Sequence, residues 1–145
     1  MPLPVGTEAP SFTTKDTDGN TVSLSDFKGK TVVLYFYPKD DTPGCTKQAC
    51  SFRDARPQYQ SKDIVVLGVR ADDEASHQAF TQKYNLNFPL LADTNQELIK
   101  AYDVDGGGYS KRGTYVIDGC GKIVNVDSSV NTTTHAEDVL KSLGL

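Results

Sequence analysis

Two short, largely apolar runs, separated by one helix-length segment, constrain the fold of this chain more than any other feature. The first run, residues 31–37, is rich in β-branched and aromatic side chains, which is typical of a central strand buried on both faces. Residues 64–69 repeat that character. Between the runs, Thr42 suits the N-cap of a helix and Pro43 its first residue. The pattern therefore predicts a strand, a helix and a second strand inside an α/β sheet.

The other predicted elements surround this centre, and turn residues separate them. They are hairpin strands at 12–14 and 21–24, helices at 74–84 and 96–102, a short strand at 88–91, and hairpin strands at 113–117 and 122–126. Thr134 and Glu137 have capping-box spacing, which starts a C-terminal helix there. This order predicts a thioredoxin-like α/β fold: a central mixed β-sheet flanked by helices, with an N-terminal β-hairpin, in one domain over residues 1–145.

Two local patterns carry finer expectations about the helices. Pro57 should end or kink the helix of Pro43 near Arg56, because proline removes a backbone donor and clashes with the preceding turn. In the helix at 74–84, the spacing places Ala75, Ala79 and Phe80 on one side.

Composition excludes several classes of function. No stretch approaches the roughly 18 apolar residues that a membrane span needs, and the N-terminus has no secretory signal pattern, so a cytoplasmic protein is expected. The net charge of −4 comes without a dense basic patch, which argues against a nucleic-acid partner. His77 and His135 are too isolated for a metal site. Three cysteines in such a chain are candidates for chemistry rather than for a disulfide framework.

Cys45 is the strongest candidate, because the helix predicted to begin at Pro43 places it in the first turn. Unpaired backbone N–H groups and the positive end of the helix dipole favour a thiolate there. The side chain of Thr42 is expected close enough to exchange a hydrogen bond with the sulfur. The alternative is a buried cysteine that acts only as a small apolar side chain.

Cys50 follows five residues later, which on an ideal helix turns it by about 140° and leaves its Cα about 8 to 9 Å from that of Cys45. A disulfide needs Cα atoms closer than about 7 Å, so bonding this pair requires the first helical turn to unwind. The oxidised protein is therefore expected to lose helix and amide protection around residues 43–51. The alternative is a packed thiol without a redox role. Cys120, in a predicted turn, is expected to be a bystander, with an intermolecular disulfide or glutathionylation as the other options.

The pattern Pro38-x3-Thr42-x2-Cys45 resembles the active-site motif of peroxiredoxins. The runs 35–38, 42–46, 50–54, 88–93 and 112–118 are similar to the peroxiredoxin Q group, also called bacterioferritin comigratory proteins, so the resemblance covers nearly the whole chain. It implies that Cys45 is the peroxidatic cysteine and Cys50 the resolving one. It also implies that Thr42 and Arg112 orient the peroxide and that Pro38 covers the thiolate.

By the same resemblance, the substrate is a hydroperoxide, the electron donor is thioredoxin or a related dithiol protein, and no cofactor is required. The intramolecular cysteine pair makes a monomer sufficient. Some plant members of the group are plastid proteins, so a mature plastid form is an alternative to the cytoplasm. Two other functions on the same fold stay open. A thiol–disulfide oxidoreductase would more usually carry Cys-x-x-Cys, and a redox sensor could use the helix opening as a signal.

Overall fold

The computed structural model describes residues 3–16, 19–37, 43–70, 74–86, 88, 90–92, 97–104, 113–127 and 135–142. Its strands are β1 (Thr13–Lys15), β2 (Thr21–Ser23), β3 (Thr31–Phe36), β4 (Ile64–Arg70), β5 (Leu90–Ala92), β6 (Gly113–Ile117) and β7 (Ile123–Asp127). Its α-helices are α1 (Pro43–Ser61), α2 (Glu74–Tyr84), α3 (Glu97–Ala101) and α4 (His135–Ser142), and a 3-10 helix spans Leu24–Phe27.

The described strands form one sheet in the order β2-β1-β5-β4-β3-β6-β7. β3, β4 and β5 run parallel, with Val33 opposite Val66 and Gly68 opposite Leu90. The other pairs, β1 with β2 and β5, and β6 with β3 and β7, are antiparallel. The mixed sheet, the N-terminal hairpin and the thioredoxin-like order of elements are therefore confirmed.

At the centre of the sheet both faces are buried, which explains why β3 reads as a continuous apolar run rather than an alternating one. Val33 and Tyr35 point to the face covered by α1, α2 and α4, while Val32 and Leu34 point to the opposite core. The second core also takes side chains from α3 and from the N-terminal segment, among them Leu98, Ile99, Ala9 and Val22. The central strand thus positions α1 against one face.

Helix α1 is longer than expected, because Pro57 lies inside it and the helix continues to Ser61. Of the two expected outcomes, a helix end near Arg56 is wrong, while a kink there stays a prediction. Beyond the proline, Tyr59 is 1% exposed and its hydroxyl donates a hydrogen bond of 2.7 Å to the carbonyl oxygen of Ala136 in α4. Burial of Tyr59 and its bond to α4 outweigh the single backbone hydrogen bond that proline removes.

The second local expectation holds only in part, because Phe80 is buried whereas Ala79 is exposed. Residue 75 lies outside the described side chains. Asn85, the residue after the end of α2, has a left-handed backbone conformation with φ 52°. The amide of Leu86 donates a hydrogen bond to the carbonyl oxygen of Thr81. This is a Schellman-type end, in which asparagine takes the place usually filled by glycine.

Candidate active site

Cys45 is the third residue of α1, so the predicted start of the helix at Pro43 is confirmed. Its backbone lies in the turn where N–H groups have no intrahelical carbonyl partner and the helix dipole is positive. The side chain of Cys45 lies outside the described part of the structure, as do Pro38 and Thr42 entirely. The helix end that would favour a thiolate is therefore in place, and the roles of those three side chains stay predictions.

Arg112 also lies outside the described residues, but the strand that follows it defines where the chain enters the sheet. β6 begins at Gly113, which pairs with Phe36 at the end of β3. The chain leaves β3 at that same end and continues to Cys45. The topology therefore brings the start of β6 and the start of α1 to one edge of the sheet.

Cys50 is a free thiol, partly buried, on the second turn of α1. Because α1 is continuous from Pro43 to Ser61, the ideal separation of about 8 to 9 Å between the Cα atoms of Cys45 and Cys50 applies. That separation exceeds the limit for a disulfide. Cys50 is only partly buried, so it is not fully packed in the core, and its redox role stays a prediction.

Arg53 is one turn from Cys50 on the same side of α1. A hydrogen bond from Arg53 Nε to Asp54 Oδ1, 3.0 Å long, raises the pKa of Arg53; the Cys50 thiol also raises it, while partial burial opposes both. Arg53 Nη1 donates a second hydrogen bond, of 2.6 Å, to the carbonyl oxygen of Tyr84 at the end of α2. A charged side chain therefore links the region of Cys50 to a neighbouring helix.

Sequence reasoning missed Gln48, which is 0% exposed and lies three residues after Cys45. The sequence did contain one indication: Gln48 precedes the buried Ala49 and stands three residues after Cys45, a spacing that places it on the same side of the helix as Cys45. It went unused because glutamine is usually a surface residue.

Cys120 is exposed in the turn between β6 and β7, and its amide donates to Asp118 Oδ1. Gly119, next to it, accepts a hydrogen bond from the amide of Gly29, just before β3 begins. Cys120 thus lies beyond the start of β3, whereas Cys45 lies beyond its end. A strand of this length separates them by about 17 to 20 Å, which excludes an internal disulfide between them.

No group of three or more His, Cys, Asp or Glu side chains among the described residues could hold a metal ion. Within the same residues, no helix is long and apolar enough to cross a membrane.

The chain is similar to known proteins over most of its length. The model of the AhpC/TSA family matches residues 5–126. Peroxiredoxin Bcp of Bacillus subtilis is 40% identical over 151 residues, covering 99% of this chain and 96% of that protein. The chloroplastic Peroxiredoxin Q of Triticum aestivum is 47% identical over 140 residues, covering 94% of this chain but 64% of that protein. The chain thus spans about two thirds of that plant relative.

Solved structures give the same result. A cysteine-to-serine mutant of Xylella fastidiosa PrxQ superposes with a TM-score of 0.91 at 32% identity, covering 98% of this chain and 96% of that one. Peroxidoxin BcpB of Mycobacterium tuberculosis gives a TM-score of 0.90 at 30% identity, covering 98% and 97%. The chain therefore belongs to the AhpC/TSA family and, within it, to the peroxiredoxin Q/Bcp group.

Proposed function

We propose that this chain is a thiol-dependent peroxidase that reduces hydrogen peroxide and organic hydroperoxides. The observation that carries the proposal is the position of two cysteines on one helix: Cys45 in the first turn of α1 and Cys50, free and partly exposed, five residues later. The proposed catalytic unit is a single domain formed by residues 1–145, and it uses no cofactor.

In the first step, the thiolate of Cys45 attacks one oxygen of the peroxide, an S–O bond forms, and the O–O bond breaks. The leaving oxygen departs as hydroxide or alkoxide and takes up a proton, while Cys45 becomes a sulfenic acid. Donors that face the leaving oxygen stabilise the charge that develops on it. We assign this task to the Thr42 hydroxyl, the Arg112 guanidinium and the first-turn amides, and we assign Pro38 to covering the thiolate.

In the second step, the thiolate of Cys50 attacks the sulfur of the sulfenic acid and releases hydroxide, which leaves an intramolecular disulfide. Thioredoxin or a related dithiol protein then reduces that disulfide by thiol–disulfide exchange. Because both cysteines belong to one chain, a monomer is sufficient. The proposed place of action is the cytoplasm, or a plastid if this is a mature form.

The test is peroxide-dependent oxidation of NADPH, coupled through thioredoxin and its reductase. We expect Cys45→Ser to abolish turnover. Cys50→Ser should reduce it at least about a hundredfold, because an external thiol lacks the effective concentration of one on the same helix. Thr42→Val and Arg112→Met should each lower kcat/KM by about 10²-fold to 10³-fold. Cys120→Ser is the matched control and should keep full activity.

Other outcomes would support other functions. A folded wild-type protein with free thiols but no turnover of any peroxide would reject the peroxidase. If the same protein catalysed reduction or exchange of protein disulfides, a thiol–disulfide oxidoreductase would replace it. If peroxide oxidised the cysteine pair once, without turnover by a dithiol donor, the chain would be a redox sensor.

A further inference from the structure

The residues that directly follow Cys50 are tied to two different elements of the fold. Ser51 Oγ accepts a hydrogen bond of 3.2 Å from the amide of Ala136, in the first turn of α4. Phe52 is 0% exposed, and its ring stacks on that of Tyr35 in β3, with centroids 4.8 Å apart. α1 is therefore held to a helix and to the central strand immediately after Cys50.

Arg53 adds a third tie, to α2. Its Nη1 donates to the carbonyl oxygen of Tyr84, the last residue of α2, at 2.6 Å. Carbonyl oxygens at a helix C-terminus have no intrahelical donor and carry negative partial charge. A hydrogen bond from a guanidinium is therefore strong at this position. A second bond, from Nε to the exposed side chain of Asp54 at 3.0 Å, stays within α1 and ties it to no other element.

Opening of α1 from its N-terminus meets less resistance before Cys50 than after it. The first-turn amides have no intrahelical hydrogen bonds to lose. Opening before Cys50 exposes the methyl group of Ala49 and the polar side chain of Gln48, which water solvates. Releasing Phe52 exposes a whole buried ring and breaks its stack on Tyr35. The free energy of opening thus rises steeply once the opening passes Cys50.

We propose that Ser51, Phe52 and Arg53 form an anchor that holds Cys50 in place while the Cys45 end of α1 opens towards it. Arg53 is the positioning residue that sets this boundary. The inference rests on the proposed function, since it concerns the step in which the Cys50 thiolate attacks the Cys45 sulfenic acid. In that step the S–S bond forms, the S–O bond breaks, and hydroxide leaves and takes a proton.

The anchor also affects the fate of the sulfenic acid. A fixed Cys50 keeps a high effective concentration next to the opened Cys45. If the anchor is released, residues beyond Cys50 move as well and that concentration falls. A second peroxide then competes better for the sulfenic acid and converts it to sulfinic acid.

The first test is amide hydrogen exchange of the disulfide form. The protein carries Cys120→Ser, to prevent intermolecular bonds, and is oxidised with diamide, so the disulfide forms without peroxide. In the protein with the wild-type anchor we expect α1 to open up to Cys50. Amides through Arg53 should then lose protection, because their carbonyl acceptors lie in the opened segment, while amides from Asp54 onward should keep it. In Arg53→Met the loss should extend to about residue 56, with exchange there faster by about tenfold, the worth of one charged hydrogen bond.

Two variants separate positioning from a general loss of helix stability. Arg53→Lys keeps a charged donor for the Tyr84 carbonyl and should restore most of the protection. Asp54→Asn removes the ion pair within α1 but leaves the bond to α2, so it should keep the boundary at Cys50.

The second readout is the ratio of sulfinic acid to disulfide after a peroxide pulse, measured by mass spectrometry. This ratio should rise several-fold in Arg53→Met and stay unchanged in Asp54→Asn.

Loss of protection through residues 54–56 in the wild-type disulfide form would overturn the anchor. An unchanged boundary and an unchanged sulfinic ratio in Arg53→Met would overturn the role of Arg53. If the proposed peroxidase function were wrong but the anchor right, the results would differ from these. The coupled assay would show no turnover, while the diamide-formed disulfide would still show the boundary at Cys50. Failure of diamide to join Cys45 and Cys50 would count against both proposals.

Discussion

At the scale of single residues, Gly68 shows how closely the sheet packs beneath α1. It lies in β4 beside Tyr35 and opposite Leu90. A Cβ atom built there would lie 2.7 Å from Leu90 Cδ2 and 2.9 Å from both Cζ and Oη of Tyr35. The ring of Tyr35 thus occupies the space that any other residue's side chain would need, and the same ring supports Phe52 of the anchor.

Gly68→Ala should therefore destabilise the protein by about 1 to 3 kcal/mol, the usual cost of overpacking a core. Urea unfolding followed by circular dichroism measures this change. Truncating the contact with Leu90→Val in the same chain should recover part of the loss, so the two changes should not be additive. An alanine at 68 that left the unfolding midpoint unchanged would contradict the close approach.

At the scale of elements, the sequence predicted most of the fold because most elements obey local rules. Pro43 begins α1 and the apolar runs form β3 and β4 as expected, since turn chemistry and burial agree there. Pro57 was misjudged because tertiary contacts of Tyr59 outweigh a local helix breaker. The contacts of the residues after Cys50 were also beyond prediction. The bonds between Ser51 and Ala136 and between Arg53 and Tyr84 join distant parts of the chain, and no spacing rule reveals them.

Pro57→Ala tests this view of α1. Alanine supplies the missing backbone N–H and has the highest helix propensity, so we expect stability to increase by about 1 to 3 kcal/mol. Because position 57 lies beyond the 51–53 anchor, exchange of residues 43–50 should not change. Gln58→Ala, at an exposed neighbouring position, is the matched control and should have little effect. Slower exchange at 43–50 in Pro57→Ala would mean that α1 opens as one unit.

At the scale of the whole molecule, buried tyrosines join segments that are distant in sequence. The hydroxyl of Tyr115 donates to the carbonyl oxygen of Tyr102 at 2.6 Å and accepts from the amide of Leu3. The hydroxyl of Tyr102 donates to the carbonyl oxygen of Pro10 at 2.6 Å. These bonds fasten the N-terminal segment to the core on the face opposite α1. The two bonds that the hydroxyls donate are made only while the hydroxyls keep their protons, whereas the bond from Leu3 is accepted by the Tyr115 oxygen and does not need its proton.

Alkaline pH should therefore destabilise the protein. Burial raises the pKa of Tyr59, Tyr102 and Tyr115. The nearby Tyr115 raises the pKa of Tyr102 further, and the charge of Asp103 raises that of Tyr115. The amide of Leu3 opposes the rise at Tyr115. A group whose pKa is higher in the folded state contributes stability below its unfolded pKa and loses it as pH rises. The loss of stability should therefore begin near pH 10, where the tyrosines of the unfolded chain ionise.

Between pH 10 and 11 we expect Tyr59 and Tyr102 together to reduce the free energy of unfolding by about 2 kcal/mol, with Tyr115 adding to the loss. Urea unfolding at each pH, with tyrosinate absorbance recorded alongside, measures both the loss and the ionisation that causes it. Tyr102→Phe starts from a lower stability, because the bond to Pro10 is gone, but its decline with pH should be shallower. An equally steep decline in Tyr102→Phe would assign the alkaline loss to other groups, such as lysines, because only the tyrosine contribution is removed by that change.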